Sequence, residues 1–254
     1  MDVYAIQLVL FIMIFIRCTT LLSLAPVLGH VSVPAQVKAA LGMFMAFVLY
    51  PLMAARHPDV DLRMLPLAIM AVQEALTGMV IGFAMSLVFA GVRVAGELIG
   101  FDLGLSIATA FDPETGSNNI VGAFLYLALL LVFILINGHH FVLQAMVLSY
   151  DVIPLGGFSV NGPMAEQLIR MTGIMFVVGL KCAAPIIVAS FLMNVALAIL
   201  SRVAPQVNVF MVSFPVKIGV GVLVLMAAAP LLVYAFKNLL TGFEEDIVEL
   251  IRVM

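Results

Sequence analysis

Long apolar runs separated by short polar segments dominate this sequence. Six of them stand out, at residues 3–28, 37–55, 64–92, 120–136, 171–200 and 207–236. A helix that crosses a bilayer needs about 20 mostly apolar residues, with a range of roughly 17–25. Four of the runs exceed that length and two lie at its lower edge. We therefore predict about six long apolar helices in a single membrane-embedded domain, 1–254.

Helix is the conformation that these runs predict. Backbone polar groups in lipid must be satisfied internally, which leaves only helices or closed barrels. Barrel strands alternate polar and apolar residues over about ten positions, whereas 127–136 and 223–236 are unbroken apolar runs. Two apolar segments, 98–111 and 141–150, are too short to span a bilayer. We expect them to extend neighbouring helices or to form half-helices in an all-α protein.

The C-terminal segment 243–254 shows a different pattern. Phe243, Ile247 and Ile251 recur at four-residue spacing among charged residues. This spacing is typical of an amphipathic helix with one apolar face. We predict a C-terminal amphipathic helix that lies at the surface or against a partner.

Ionisable residues, prolines and paired glycines interrupt the apolar runs. A charge at the centre of a membrane helix costs about 2.5–3.5 kcal/mol on insertion scales, so these faces are expected to meet protein or water. Proline favours a kink, and glycines four residues apart allow close helix packing. The candidate intramembrane polar and packing residues are Arg17, Glu74, Gly78, Gly82, Arg93, Glu97, Lys181, Pro205, Gln206, Asn208, Pro215 and Lys217.

Composition strengthens the membrane interpretation. Hydrophobic residues make up 65% of the chain and charged residues only 10%, against about 25% charged in ordinary soluble domains. A soluble fold could not cover so much apolar surface with so few charges. The formal net charge of −3 argues against a nucleic-acid partner, which requires clustered Lys and Arg.

Catalytic and metal-binding chemistry finds little support in the sequence. His139 and His140 would point about 100° apart on a helix, and no zinc-ligand spacing accompanies them. No nucleophile is paired with a base in a recognisable motif. We therefore predict a protein that is not an enzyme and that has neither a cofactor nor a metal.

Intramembrane charges leave a second function open. Arg93 and Glu97 are four residues apart and could form an ion pair on one helix face. Glu74, Glu97 and Lys181, which lie in apolar surroundings, also fit an ion-coupled secondary transporter or a proton channel. The transporter or channel is the alternative to a structural role in a helix assembly.

The segment 96–119 combines several glycines with an acidic, turn-forming end, between two apolar helices. One interpretation is an ordinary flexible loop. The other is a close-packed helix pair whose loop enters a pore or contacts a partner. Irregular backbone at membrane depth is tolerated only where it is buried in protein or lines a cavity.

Five motifs are spread along essentially the whole chain. They are Arg17 with the following APVLGHVSVPAQVKAAL (25–41), QEALTGMVIGFA (73–84), GELIGFDLGLSIATAFDPETG (96–116), NGHH (137–140) and LSRVAPQVNVFMVSFPVKIGVG (200–221). Together they resemble the FliR/SctT family of type III export-gate proteins. Asp102 stands where several family members carry Gln, which leaves the role of this position open.

The resemblance implies a fold, partners and a location. Kinked helical hairpins would wind, together with FliP and FliQ homologues, into a helical multi-subunit pore in the bacterial inner membrane, at the flagellar basal body. A FlhB homologue would wrap the closed gate, and unfolded secreted proteins would pass through it. Whether the system is flagellar or of the virulence type stays open at this point.

The resemblance also implies a loop that plugs the closed pore. By position, this loop corresponds to the end of the glycine-rich segment. The plug residues implied are Ser106, Phe111, Asp112, Pro113, Thr115, Gly116, Ser117 and Asn118.

Overall fold

The computed structural model describes residues 2–30, 32–54, 62–105, 119–206 and 208–254. Within these ranges the chain forms helices and no strand, which confirms the all-α prediction. The helices are α1 (Asp2–Leu24), α2 (Ala35–Ala54), α3 (Met64–Asp102), α4 (Ile120–Leu135), α5 (Gly138–Val152), α6 (Gly162–Val203) and α7 (Val209–Val253).

Membrane-spanning length is a property of most of these helices. Five of them, α1, α2, α3, α6 and α7, are long and apolar enough to cross a bilayer. The pair α4 and α5 passes the same test when taken together, and it is bent by 70° at the break between the two helices. The expectation of about six long apolar helices is therefore confirmed.

The break between α4 and α5 has a local cause. Asn137 adopts a left-handed conformation with φ 62°, which asparagine tolerates better than most other residues. Asn137 is the N-cap of α5, and α4 has ended two residues before it, at Leu135. The short apolar segment 141–150 accordingly lies in α5, a half-helix of its own, whereas residues 98–102 prolong α3.

Prolines lie inside three helices without ending them. Helix α2 continues through Pro51, α6 through Pro185, and α7 through Pro215 and Pro230. Neighbouring groups can satisfy a carbonyl that a proline leaves without its backbone donor, so membrane helices tolerate such positions.

Two compact units make up the chain. Unit 1 comprises Met1–Leu87, Asn137–Thr172 and Thr241–Met254, and unit 2 comprises Val88–Ile136 and Gly173–Leu240. Three of the four boundaries fall inside α3, α6 and α7, and the fourth falls at the break between α4 and α5. That the whole chain forms one membrane-embedded domain stays a prediction.

In unit 1, helices α1 and α2 pack closely. A side chain at Gly42 would collide with Thr19, so the glycine lets the two helices approach. The rings of Phe11 and Tyr50 meet edge to face with centroids 6.3 Å apart, a favoured arrangement for aromatic pairs.

The C-terminal amphipathic segment is the last part of α7 and not a separate helix. Its apolar residues Phe243, Ile247, Leu250 and Ile251 are buried, and they belong to unit 1. The chain itself therefore covers the apolar face that we expected at the surface or against a partner.

Polar side chains at the start of α6 hold this C-terminal segment. Asn161 donates from Nδ2 to the carbonyl of Val253 at 2.7 Å and accepts from the Met164 amide at 2.8 Å. Arg170 forms an ion pair with Asp246 at 3.0 Å. The end of α7 is thus fixed both by apolar burial and by hydrogen bonds.

Unit 2 is assembled through close approaches at glycines. Gly91 of α3 and Gly179 of α6 pack so tightly that a Cβ on either would press on the other helix. Phe89 packs edge to face against Tyr126 and Phe133 of α4, with centroids 5.6 Å apart in both pairs. Small residues therefore let these helices touch backbone to backbone, as in membrane helix bundles.

Candidate functional site

A fully buried ion pair lies within unit 1. Arg17 of α1 donates from Nε to Oε2 of Glu74 at 2.6 Å and from Nη2 to Oε1 at 3.0 Å. Both side chains have no solvent exposure. This is the two-pronged geometry in which a guanidinium binds a carboxylate most strongly.

The remaining N–H donors of the guanidinium bind the end of α5. Its Nη1 donates to the carbonyls of Ser149 and Ile153, at 3.1 Å in each case. The Cζ atom lies 4.1 Å from the centre of the Tyr150 ring, within range of a cation–π interaction. A cation at a helix C-terminus also offsets the partial negative charge of the last carbonyls.

Glu74 in turn holds the chain that follows α5. Its Oε1 accepts a hydrogen bond from the Gly156 amide at 2.8 Å. Gly156 has φ +71°, a conformation that glycine adopts without strain. The neighbouring Gln73 donates to the carbonyl of Phe158 at 3.2 Å. Helix α3 therefore positions the segment between α5 and α6.

We name this set the Arg17–Glu74 network: Arg17, Glu74, Ser149, Tyr150, Ile153 and Gly156. It joins α1, α3, α5 and the following segment through charge-assisted hydrogen bonds. Burying two charges is costly, and only excellent geometry with further hydrogen bonds offsets the loss of hydration. Here the ion pair and the backbone groups together provide those bonds.

The predicted packing glycines lie beside this network. A Cβ at Gly78 would meet the Thr20 side chain and the Arg17 carbonyl, and one at Gly82 would meet Leu21 and Leu24. These glycines let α3 lie directly on α1. The close approach brings the Glu74 carboxylate within reach of the guanidinium, so the structure unites four predicted residues: Arg17, Glu74, Gly78 and Gly82.

Arg93, Glu97 and Lys181 belong to unit 2 and are all exposed there. Arg93 lies over the ring of Tyr126, with Cζ 5.2 Å from the ring centre. Within the described ranges no ion pair joins it to Glu97, although the spacing along α3 allowed one. The aromatic ring of α4 takes the place of that carboxylate.

The other predicted residues lie at the α6–α7 connection and in the first turns of α7. Pro205, Gln206 and Asn208 are exposed, and Asn208 accepts from the Met211 amide at 3.3 Å, which caps the start of α7. Pro215 is exposed and Lys217 is half-buried. These residues belong to unit 2, whereas the Arg17–Glu74 network belongs to unit 1.

The plug residues expected from the resemblance fall outside the described residues. They are Ser106, Phe111, Asp112, Pro113, Thr115, Gly116, Ser117 and Asn118. The plug therefore stays a prediction. Asp102, whose role was left open, lies just before this segment, and its Oδ2 is buried without a hydrogen-bond partner among the described atoms.

Sequence reasoning missed the backbone partners of Arg17 and Glu74. Ser149, Ile153 and Gly156 take part through carbonyl or amide groups, which carry no side-chain signature. The double-glycine turn at 156–157 was the available signal, because a turn at that point exposes an amide for a carboxylate to bind. Tyr150 gave no such signal, since aromatic residues are common throughout the chain.

No group of three potential metal ligands occurs within the described ranges. His139 and His140 are exposed in the first turn of α5, with ring centres 4.3 Å apart. Both charged side chains of the Arg17–Glu74 network are fully buried.

Comparison with known proteins assigns the chain to a family. The family model for bacterial export proteins, family 1, matches residues 8–243. The chain belongs to this family. The resemblance to the FliR/SctT proteins seen in the motifs is thereby confirmed. Membership of an export-protein family also bears out the expectation that the chain is not an enzyme.

Relatives among flagellar proteins are similar over most of their length. The flagellar biosynthetic protein FliR of Escherichia coli (strain K12) is 35% identical over 218 residues, covering 85% of this chain and 83% of the relative. That of Pectobacterium carotovorum is 36% identical, covering 86% and 83%. That of Bacillus subtilis (strain 168) is 29% identical, covering 90% and 89%. This member of the export family is therefore similar over most of its length to flagellar biosynthetic proteins.

Removing one partner of the network should destabilise this export-family chain strongly. Arg17→Met leaves the Glu74 carboxylate buried without its counter-ion, so we expect the free energy of unfolding to fall by about 3–5 kcal/mol. Arg17→Lys should recover little of it, because an ammonium cannot reproduce the guanidinium fork. The double variant Arg17→Met/Glu74→Met should be less damaged than Arg17→Met. Thermal unfolding of the detergent-solubilised protein measures these differences.

Arg170→Met is the matched control, because it removes an ion pair whose arginine side chain is 54% exposed. Exposed pairs contribute only about 0–1 kcal/mol. Equal destabilisation by Arg17→Met and Arg170→Met would show that the network does not hold unit 1 together.

Proposed function

We propose that the chain is a structural subunit of the flagellar protein export gate in the bacterial inner membrane. There it would build, with FliP and FliQ homologues, the pore through which unfolded flagellar proteins cross. The observation that carries the proposal is the export-family match over residues 8–243 together with the flagellar relatives. A FlhB homologue on the outside of the closed gate completes the proposed set of partners.

Helix length supports the need for protein partners. Helices α3, α6 and α7 contain 39, 42 and 45 residues, which corresponds to roughly 58–68 Å at 1.5 Å per residue. The hydrocarbon core is about 30 Å thick, and even a 40° tilt lengthens the crossing to only about 39 Å. Much of each helix must therefore lie outside the hydrocarbon.

Exposed apolar surface continues along these helices. In their most apolar windows, only 22% of α6 and 11% of α7 is buried. Large side chains such as Phe191, Leu223 and Met226 are more than half exposed. Apolar surface outside the bilayer is unfavourable in water and marks protein contacts. Other subunits of a helical assembly would cover it.

The charged residues of unit 2 also support a need for protein partners. Arg93, Glu97 and Lys181 are exposed on helices of membrane-spanning length. Each would cost about 2.5–3.5 kcal/mol at the centre of a bilayer. A surface that mixes large apolar groups with these charges suits neighbouring polar protein or a water-filled pore better than acyl chains.

The transporter or channel alternative loses one of its three motivating residues. Glu74 is saturated by Arg17 and by the Gly156 amide, which leaves no free carboxylate there for ion coupling. Glu97 and Lys181 remain as exposed charges of unit 2. The geometry thus favours a structural role for the buried pair over a relay.

Assembly tests the proposed partners directly. When the chain is co-expressed with FliP and FliQ homologues, we expect a single complex in detergent that contains all three, because its long apolar faces require cover. Size-exclusion chromatography and mass analysis measure the composition. A chain that stays alone, although the other two proteins are present and folded, would contradict the proposal.

Deletion tests the proposed plug. Removing residues 111–118 should leave that complex intact and should let small ions leak through it, because the loop is proposed to fill the closed lumen. Ion release from vesicles that contain the purified complex measures the leak. An intact complex with an unchanged leak would remove the plug assignment and leave the subunit assignment standing.

A further inference from the structure

Helix α2 of unit 1 carries a stripe of large apolar side chains on its exposed side. Its members lie three, four or seven residues apart, which places them on one side of a helix. Phe47 is 72% exposed and Phe44 is 58% exposed. A contiguous apolar surface of this kind marks a contact with another phase or molecule. We name it the α2 stripe: Val37, Met43, Phe44, Phe47, Val48 and Leu52.

The opposite side of α2 packs within the protein. Gly42 lies against Thr19 of α1, and Tyr50 lies against Phe11. The contact moves back along α1 by the same number of residues as it moves forward along α2, so the two helices form an antiparallel hairpin. The inward side of α2 is therefore occupied by protein. Its buried residues are Gly42, Ala46, Leu49 and Met53.

The lengths of α1 and α2 match the hydrocarbon core of a bilayer. The helices contain 23 and 20 residues, which corresponds to roughly 34 and 30 Å at 1.5 Å per residue. The core is about 30 Å thick. Of the five described helices that reach membrane-spanning length by themselves, only these two can lie in the hydrocarbon along nearly their whole length.

The outward side of this hairpin is also free of charge. Among the described side chains of its helices, residues 4–24 and 35–54, no charged one is exposed. Arg17 is fully buried in its ion pair, and Lys38 is half-buried. Hydrocarbon offers a charge no partner, so this surface suits acyl chains in a way that the exposed charges of unit 2 do not.

Polar and aromatic groups lie at the two ends of the hairpin. At one end, Lys38 donates from Nζ to the carbonyl of Gly29 at 2.9 Å, and the nearby Gln36 is exposed. At the other end, Tyr4 begins the apolar part of α1 and is 80% exposed. Tyrosines are enriched where the hydrocarbon meets water, and lysines near helix ends reach toward that boundary. Both ends thus fit the two interfaces of one bilayer.

We propose that the α2 stripe contacts the acyl chains of the bilayer and anchors the chain in the membrane. A surface of hydrocarbon thickness, with apolar side chains between polar ends, is complementary to lipid. The inference concerns a different surface from the faces of α6 and α7 that the proposed function assigns to partners, and it does not depend on those partners.

Tryptophan fluorescence tests the contact, because the chain contains no tryptophan. We would introduce Phe47→Trp or Phe44→Trp into the complex with FliP and FliQ homologues, reconstituted in vesicles of lipids with brominated acyl chains. The complex with the native chain gives the background signal of the partners. Bromine quenches an indole that it touches, so we expect the added fluorescence at both positions to be strongly reduced relative to vesicles of unbrominated lipid.

Phe191→Trp is the matched control. It makes the same chemical change at a residue of α6 that is 64% exposed, on a face that the proposed function covers with protein. We expect the fractional loss of fluorescence at position 191 to be several-fold smaller than at positions 47 and 44.

The two proposals fail in different ways. Little quenching at both 47 and 44 would overturn the inference, since the α2 stripe would then be covered by another subunit or by water. Strong quenching at 47, 44 and 191 alike would support the inference and contradict the protein cover proposed for α6. If no complex forms, the proposed function fails; the same vesicles with the chain alone then support the inference by quenching at 47 and 44 and overturn it by its absence.

Discussion

The packing of unit 1 depends on the free-energy cost of burying the charged side chains of an arginine and a glutamate away from water. An unpaired charge in that position would unfold a marginally stable protein, so α1 and α3 must lie close enough for Arg17 and Glu74 to join. The glycines at 78 and 82 provide the close approach, and the C-terminal carbonyls of α5 use the remaining guanidinium donors. One electrostatic requirement therefore fixes the relation of three helices and of the segment after α5.

The sequence predicts the helices well because bilayer-length apolar runs have few other solutions. It also predicts Arg17, Glu74 and the neighbouring glycines, since charge and small size stand out in an apolar chain. It does not predict their partners: the carbonyls of Ser149 and Ile153 are backbone groups with no signature. The Arg93–Glu97 spacing allowed an ion pair, but the guanidinium of Arg93 lies over the ring of Tyr126, which belongs to another helix. The spacing of residues along one helix does not determine which distant segments of the chain come into contact.

The two units use polar groups differently. In unit 1 the charges of Arg17 and Glu74 are enclosed and neutralise one another, and the amphipathic end of α7 buries its apolar face. In unit 2, Arg93, Glu97 and Lys181 are exposed, as are large apolar residues such as Phe191 and Leu223. These residues lie on helices about twice as long as the hydrocarbon is thick. A buried ion pair in one unit and an exposed, partly charged apolar surface in the other fit a subunit with a stable core and a surface for assembly.

Site-specific photo-crosslinking from the exposed faces of α6 and α7 tests this account most directly. A photoreactive residue at position 191 or 223, where Phe191 is 64% and Leu223 is 65% exposed, should cross-link in cells to FliP or FliQ homologues. The same probe at position 250, where Leu250 is fully buried, should give no link to another protein. Cross-links from 191 and 223 to lipid alone would contradict the account, because these helices would then lie free in the bilayer.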